Sequence, residues 1–204
     1  MKKNCNLTNN SKFRYIRKEL NELYGKDTTS TIVQLANQHY EKNKLLCNSA
    51  SEGEWTHLHN TILPTISVYK ALLEIDHENA LKNTHALLIK ICNIGGKLLN
   101  VILRLPGMKS LFMKLLPKMA LKMFGKECGF DYTNLKISKS CLQMDMTFCP
   151  YCKYAAILGC PELTFVFCES DSATYGNISG IKFERTQTLG TGGERCDFKF
   201  SRFA

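Results

Sequence analysis

The sequence predicts an α+β fold: a helical N-terminal part packed on a small antiparallel β-sheet built mainly from the C-terminal third. Three observations lead there. Apolar residues recur at helical spacing through the first two thirds, and across 139–149 the spacing changes to strict alternation. Near the end, Gly190-Thr191-Gly192-Gly193 separates two strand-like runs, as a hairpin turn would. The 204 residues read as a single domain, mainly helical over 1–128 and a cysteine-rich α+β part over 129–204. With 44% hydrophobic and 22% charged residues, the chain is excluded from the disordered class.

The elements follow in order. Phe13, Ile16, Leu20 and Leu23 set a first helix, which Tyr24-Gly25 stops. Thr29 or Ser30 caps a second, carrying Ile32, Leu35, Ala36 and Tyr40. After a polar loop, Trp55, His59, Ile62, Ile66, Tyr69 and Leu73 make the stripe of a third helix, and Pro64 either kinks it or marks its true start. Asp76 reads as the N-cap of a fourth helix that runs to about Leu105. Gly95-Gly96 weakens its middle and Pro106-Gly107 ends it. A fifth, basic amphipathic helix over 108–124 sets Phe112, Leu115, Leu116, Met119 and Met123 against Lys109, Lys114, Lys118 and Lys122. Leu142, Met144, Met146 and Phe148 then alternate with Cys141, Gln143, Asp145, Thr147 and Cys149 as a half-buried strand. Helices over 150–158 and 162–172, the second with Pro161 preset for its first turn, precede strands over 182–189 and 195–203.

The formal net charge is +9, and the excess is local. Residues 79–126 contain no Asp or Glu but nine Lys and Arg, which leaves the rest of the chain neutral. Such a stripe is ordinarily a solvated helix face; it also suits an anionic small-molecule substrate, or peripheral contact of helix 108–124 with an anionic membrane surface. Nucleic acid is the disfavoured partner. No uncharged apolar run reaches the ~18 residues of a transmembrane segment. The basic start Met1-Lys2-Lys3 is not followed by the apolar run of a signal peptide, so the expected compartment is the cytoplasm.

Ten cysteines in a chain expected to stay in a reducing compartment point to free thiols, a metal site or catalysis. Cys5, Cys47, Cys92, Cys128 and Cys141 lack motif spacing and read as small buried hydrophobes. Cys149, Cys152, Cys160 and Cys168 run C-x2-C-x7-C-x7-C, a candidate ligand set for a divalent metal such as zinc. The first pair also sits at a strand-to-helix turn, as a redox CxxC would. Cys168 and Asp171 share a helix face, with Tyr175 on the same side if the helix continues. A carboxylate beside a thiol raises the thiol pKa, so the pair is equally a buried cysteine next to a helix-end aspartate. Cys196 and Asp197 alternate across one strand and face one pocket only at a bulge or an edge. Arg185, on the partner strand, suits a substrate carboxylate or an exposed pair with Asp197 or Glu194. His59 lies on an apolar stripe, where a histidine is more often a satisfied core residue; His39, His57, His77 and His85 carry no comparable signal. No GxGxxG, Walker loop, GxSxG or HExxH is present.

Several segments together carry a resemblance. His59-x4-Pro64 precedes Tyr69, and Leu105-Pro106-Gly107 leads into the basic helix. Cys149-Pro150-Tyr151, Gly159-Cys160-Pro161-Glu162-Leu163 and Phe167-Cys168-Glu169-x-Asp171 follow. The end reads Phe183-x-Arg185-Thr186-Gln187-Thr188-Leu189 and Gly192-Gly193-x2-Cys196-Asp197-Phe198. The chain resembles the L-2-amino-thiazoline-4-carboxylic acid hydrolase family from about residue 10 to residue 201, most specifically in its last 55 residues. The resemblance implies a ring-opening hydrolase that attacks the amidine carbon of a 2-aminothiazoline and leaves N-carbamoyl-cysteine.

Side-chain chemistry then suggests roles for that reaction. One of Cys149, Cys168 and Cys196 acts as nucleophile or as ligand of a water-activating metal. Asp171 and His59 move protons, with Asp197 beside Cys196. Arg185 holds the substrate carboxylate, and Tyr175 and Thr188 complete the substrate contacts. The competing reading is a non-enzymatic sensor domain whose cysteine-lined pocket holds a small molecule or metal.

Overall fold

The computed structural model describes Leu7 and residues 10–202, so Cys5 and Phe203 lie outside the described residues. Helix α1 spans Ser11–Leu46 and is capped by Asn10, whose side chain accepts from the amides of Lys12 and Phe13. Gly25 interrupts it with φ 76°, ψ 170°. The stop is where the sequence puts it, but the helix resumes at once, because a residue without Cβ takes this conformation at little cost. Thr29 and Ser30 therefore sit inside the second segment instead of capping it, and the Ser30 hydroxyl donates to the Lys26 carbonyl. Leu23, expected on the buried stripe, is exposed at the kink.

Helix α2 (Glu52–His57) opens with a capping box between Ser51 and Glu54. It passes through one π-helical turn, Leu58–Ile62, into α3 (Leu63–Ile75). Pro64 sits in the first turn of α3, directly after the π turn and within a continuous helical run, so its missing N–H falls where the hydrogen-bond ladder changes from π to α. Asp76 turns out to be the C-cap of α3. Its carboxylate accepts from the Tyr24 hydroxyl and the Asn79 side-chain amide, and α4 (Ala80–Leu103) begins after Asn79, which makes no side-chain cap bond. Gly96 lies where α4 meets α7 (Thr164–Tyr175): a Cβ there would stand 2.6 Å from the Thr174 carbonyl oxygen. α5 (Met108–Met123) buries only Met113, Leu116 and Ala120. Leu115, Met119 and Met123, expected in the core, point outward, because α5 lies over one small apolar cluster and only a narrow stripe of it is covered.

The sheet has the order β1-β2-β4-β3, with every neighbouring pair antiparallel. Its strands are β1 (Asp131–Ile137), β2 (Cys141–Phe148), β3 (Ile181–Glu184) and β4 (Cys196–Arg202). Leu142, Met144 and Met146 are buried and pair with Phe200, Phe198 and Cys196, whereas Phe148 is exposed at the end of the strand. β3 and β4 are neighbours as expected, but β3 ends at Glu184, and residues 185–195 form a long loop instead of a tight hairpin. Asp197 causes this by drawing the amides of Thr186 and Gln187 away from the ladder. α6 (Pro150–Ile157) and α7 lie between β2 and β3.

Glu54 joins the helical part to the rest. Its carboxylate accepts from Lys153 Nζ at 2.7 Å and Tyr154 Oη at 3.1 Å on α6, and from the Ser51 amide at 2.8 Å. A Cβ on Gly129, at the entry to the sheet, would lie 2.6 Å from Glu54 Cγ. Burial by itself would raise the Glu54 pKa; the bonds from Lys153, Ser51 and Tyr154 outweigh it and hold the carboxyl below its ordinary value. A depressed folded pKa contributes stability above the unfolded pKa and loses it as pH falls through the folded value. Glu54→Gln is therefore expected to cost about 2 kcal/mol at neutral pH. Urea denaturation at descending pH should show the difference from wild type closing once the wild-type carboxylate protonates.

Candidate active site

Helix α7 carries Cys168, Asp171 and Tyr175, and the 185–195 loop folds over it. What fastens the loop is Arg185, whose side chain is 8% exposed. Its guanidinium donates to Asp171 Oδ2 at 2.9 Å and to the Cys168 carbonyl at 2.9 Å, with Ser172 Oγ at 3.4 Å. The Phe183 and Phe198 rings lie 5.9 and 5.5 Å from it. The fork is thus spent inside the protein. A substrate carboxylate would have to displace Asp171 to reach it.

The clamp brings Thr188, Leu189 and Gly190 against two sulfurs. The Leu189 amide donates to Cys196 Sγ at 3.3 Å. Gly190 comes so close that a Cβ would stand 2.7 Å from Cys168 Sγ. A hydrogen bond from the Cys196 thiol, working against burial and joined by Thr188, the Gly190 amide and the Arg185 charge, pulls the Cys168 pKa down to about 6. Cys196, the donor of that bond and itself buried, is pushed far up. The shared hydrogen bond therefore favours the thiolate on Cys168 over one on Cys196.

Cys196 faces an apolar cavity of ≈ 200 Å³ between α5 and the sheet. Asp171, Tyr175 and Cys149 also reach it, and its walls include Leu116, Met144 and Phe198. The Asp171 side chain keeps 29% of its surface open, and that surface meets this apolar space. Burial consequently raises its pKa to about 7, with Arg185 pulling down and Cys168 pushing up. Burial also lifts Tyr175 to about 12, and its ring packs edge-on against Phe200 at 5.3 Å.

Cys149 caps α6 and bonds to Cys152, which raises the Cys149 pKa and lowers that of Cys152. Cys160 is elsewhere, at the far end of α6 in the helical core; burial takes its thiol to about 11. The C-x2-C-x7-C-x7-C run is therefore not one ligand set, since α6 carries its third member away from the other three. Among the described residues no three His, Cys, Asp or Glu side chains are grouped to hold a metal ion. Asp197 lies on the opposite face of β4 from Cys196, as alternation requires, and accepts from Thr186 N, Thr186 Oγ1 and Gln187 N. Burial opposes its ionisation, but these bonds prevail and hold the carboxyl below its usual range. Its part is to shape the loop. Thr188 is buried between Cys168 and Thr191.

His59 is half-buried in the π turn, with Nδ1 2.9 Å from Tyr40 Oη. It lines a second, polar cavity of ≈ 470 Å³ with Lys12, His57 and Tyr151. The deeper histidine is His57. Its Nε2 lies 2.7 Å from the Met123 carbonyl oxygen, which requires a proton on Nε2 and leaves Nδ1 to accept from Tyr151 Oη at 3.1 Å. Burial lowers its pKa. The ring of Tyr151 in turn packs against Phe167. Neither His57 nor Tyr151 stands among the site residues expected from the sequence. The usable signal was Glu54, His57 and Leu58 at i, i+3, i+4, a buried face one position away from the stripe that contains His59.

A family model described as L-2-amino-thiazoline-4-carboxylic acid hydrolase matches residues 55–200. No curated protein matches the chain. The matched stretch begins within α2 and ends in β4, taking in the cavity, the thiol pair, Asp171 and Arg185. The chain belongs to the L-2-amino-thiazoline-4-carboxylic acid hydrolase family.

Proposed function

We propose that this chain is a thiol-dependent hydrolase that opens a small cyclic amidine at its C=N carbon, with the Cys168–Cys196 pair as nucleophile and Asp171 as proton donor. The observation that carries the reading is the joint placement of Cys196 and Asp171 on one cavity wall, with Cys168 held as the ionised partner behind Cys196. Asp171, with a pKa of about 7, protonates the ring nitrogen and makes the amidine carbon electrophilic. The Cys196 proton passes along the shared hydrogen bond to Cys168, and Cys196 sulfur adds to that carbon. In a 2-aminothiazoline the carbon–sulfur ring bond then breaks, and the departing sulfur takes the proton from Cys168. The remaining Cys196 isothiourea adds water and expels the Cys196 thiolate, leaving a carbamoyl group on nitrogen. Arg185 positions Asp171 and the α7 backbone. His59 and Cys149 lie outside these steps.

The cavity wall is apolar and Asp171 is the charged residue on it. That favours a cyclic amidine with an apolar body over one bearing a carboxylate, because an amidinium is met by Asp171 and a carboxylate by no free cation. Steady-state kinetics on an apolar-substituted 2-aminothiazoline and on its 4-carboxylate should show the lower KM for the first. Turnover of the carboxylate alone would restore Arg185 as its anchor.

Cys168→Ala and Cys196→Ala should each cut kcat/KM on the order of 10⁴-fold or more. Asp171→Asn should cut it about 10²- to 10⁴-fold. All three should keep the circular dichroism of wild type. Cys160→Ala, remote from the cavity, should leave it unchanged. The same activity in wild type and all four variants would remove the site.

The pH profile of kcat/KM should be a bell. Its acid limb lies near pH 6, where the thiol pair gains its proton, and its alkaline limb near pH 7, where Asp171 loses its own. Asp171→Asn should lose the alkaline limb and keep the acid one. Gly190→Ala pushes on Cys168 Sγ and withdraws its amide donor, so iodoacetamide at a pH below 6 should alkylate the pair more slowly, roughly threefold for each pKa unit regained once the higher nucleophilicity of the more basic thiolate is counted. Mass spectrometry of the tryptic peptides reads that rate directly.

A further inference from the structure

The helical pair α4–α5 leaves an apolar surface uncovered. Leu98, Val101 and Leu105 are 62%, 61% and 59% exposed, and Leu111, Leu115 and Met119 are 44%, 42% and 49% exposed. Leu98 and Val101 are three apart on α4, Leu105 follows in the connection, and Leu111, Leu115 and Met119 are four apart on α5, so each helix has an apolar face turned away from the core. The same stretch of sequence carries Lys97, Arg104, Lys109, Lys114, Lys118 and Lys122, none with an acidic partner among the described residues. Residues 79–126 contain no carboxylate at all. α4 is long and apolar enough to cross a bilayer by length and composition, and only 22% of its most apolar stretch is buried in the protein. It is nonetheless held in the fold: Leu87, Leu88 and Leu103 are in the core, Lys90 pairs with Glu19, and the backbone of α7 lies on Gly96.

We propose that the α4–α5 surface docks on an anionic lipid bilayer, lying in the headgroup region with its leucines, valine and methionines in the acyl boundary and its lysines on the lipid phosphates. Interleaved apolar and cationic side chains without acids are what such an interface selects. A second copy of the chain is the poorer occupant, since a two-fold interface would set this unneutralised positive surface against itself. Nucleic acid is poorer too, because the leucines would stay wet against a phosphate backbone. Met119 and Met123 belong both to this surface and to the rim of the apolar cavity, so a docked protein presents the cavity mouth to the lipid. The docking itself does not depend on the catalytic reading.

The test is co-sedimentation of the full chain with phosphatidylcholine vesicles, with and without phosphatidylglycerol, over a salt series. Binding to the anionic vesicles, weakening as salt rises, is the expected result. Lys114→Gln/Lys118→Gln should weaken partition about 25-fold, at roughly fivefold for each lysine. Leu98→Glu/Val101→Glu should abolish it while wild-type circular dichroism persists, both side chains being largely outside the packing. No binding to either vesicle, or equal binding to both that ignores salt, would overturn the proposal. So would a concentration-dependent dimer dispersed by Leu98→Glu/Val101→Glu without vesicle binding, which would make the surface a contact between copies.

Discussion

One buried guanidinium holds the site together. Arg185 leaves the end of β3, is flanked by the Phe183 and Phe198 rings, and spends its donors on Asp171 and on the Cys168 carbonyl. Both acceptors belong to α7, so this single side chain fixes the distance between sheet and helix. The loop that follows it then has one place to go. Asp197 gathers the amides of Thr186 and Gln187, and the chain reaches Thr188, Leu189 and Gly190 just where the sulfurs of Cys168 and Cys196 meet. An unpaired cation of this kind in an apolar setting would be costly, and so would an unpaired Asp171 carboxylate. Each stabilises the other only if the fold closes around them.

The same closure drives two acidic groups in opposite directions. Asp171 meets the cavity, where few dipoles stabilise its charge, and its pKa rises toward neutrality. Cys168 meets a turn of backbone amide, a hydroxyl and a second thiol, all directed at one sulfur, and its pKa falls. An ionised sulfur and a protonated carboxyl can then coexist near pH 6 to 7, which two equivalent acids in water could not sustain. Gly190 is essential to this arrangement through what it lacks, since any Cβ would occupy the space through which its amide reaches Cys168.

The sequence makes the local parts of this legible. The alternation of β2 and the i, i+3 relation of Cys168 and Asp171 are set by neighbours in the chain, and both are found where the pattern puts them. Long-range choices are not written locally. Nothing near Arg185 says that it will close on Asp171, so its planar fork read as free for a substrate. β1 gave no strand signal because it is an edge strand with almost every residue exposed, and alternation needs one buried face. The π turn at Leu58–Ile62 inserts a residue into the helical count and moves burial from His59 to His57. The cysteine spacing misled for a related reason: α6 is a rigid spacer, and eight residues of helix put Cys160 at its far end.

The cavity and the uncovered surface meet at α5. A helix that packs on a flat sheet usually buries a stripe about 100° wide. α5 buries only Met113, Leu116 and Ala120, and the third of these is too small to fill the space above Met144 and Phe198. Side chains large enough to fill it, Leu115, Met119 and Met123, are rotated to the rim or beyond it. Turning the helix to bring them in would carry Met113 and Leu116 out, so burial gained on one face would be lost on the other. The helix thus leaves an open chamber beside Cys196 and Asp171 on its inner side, while Leu111, Leu115 and Met119 stay uncovered on its outer side.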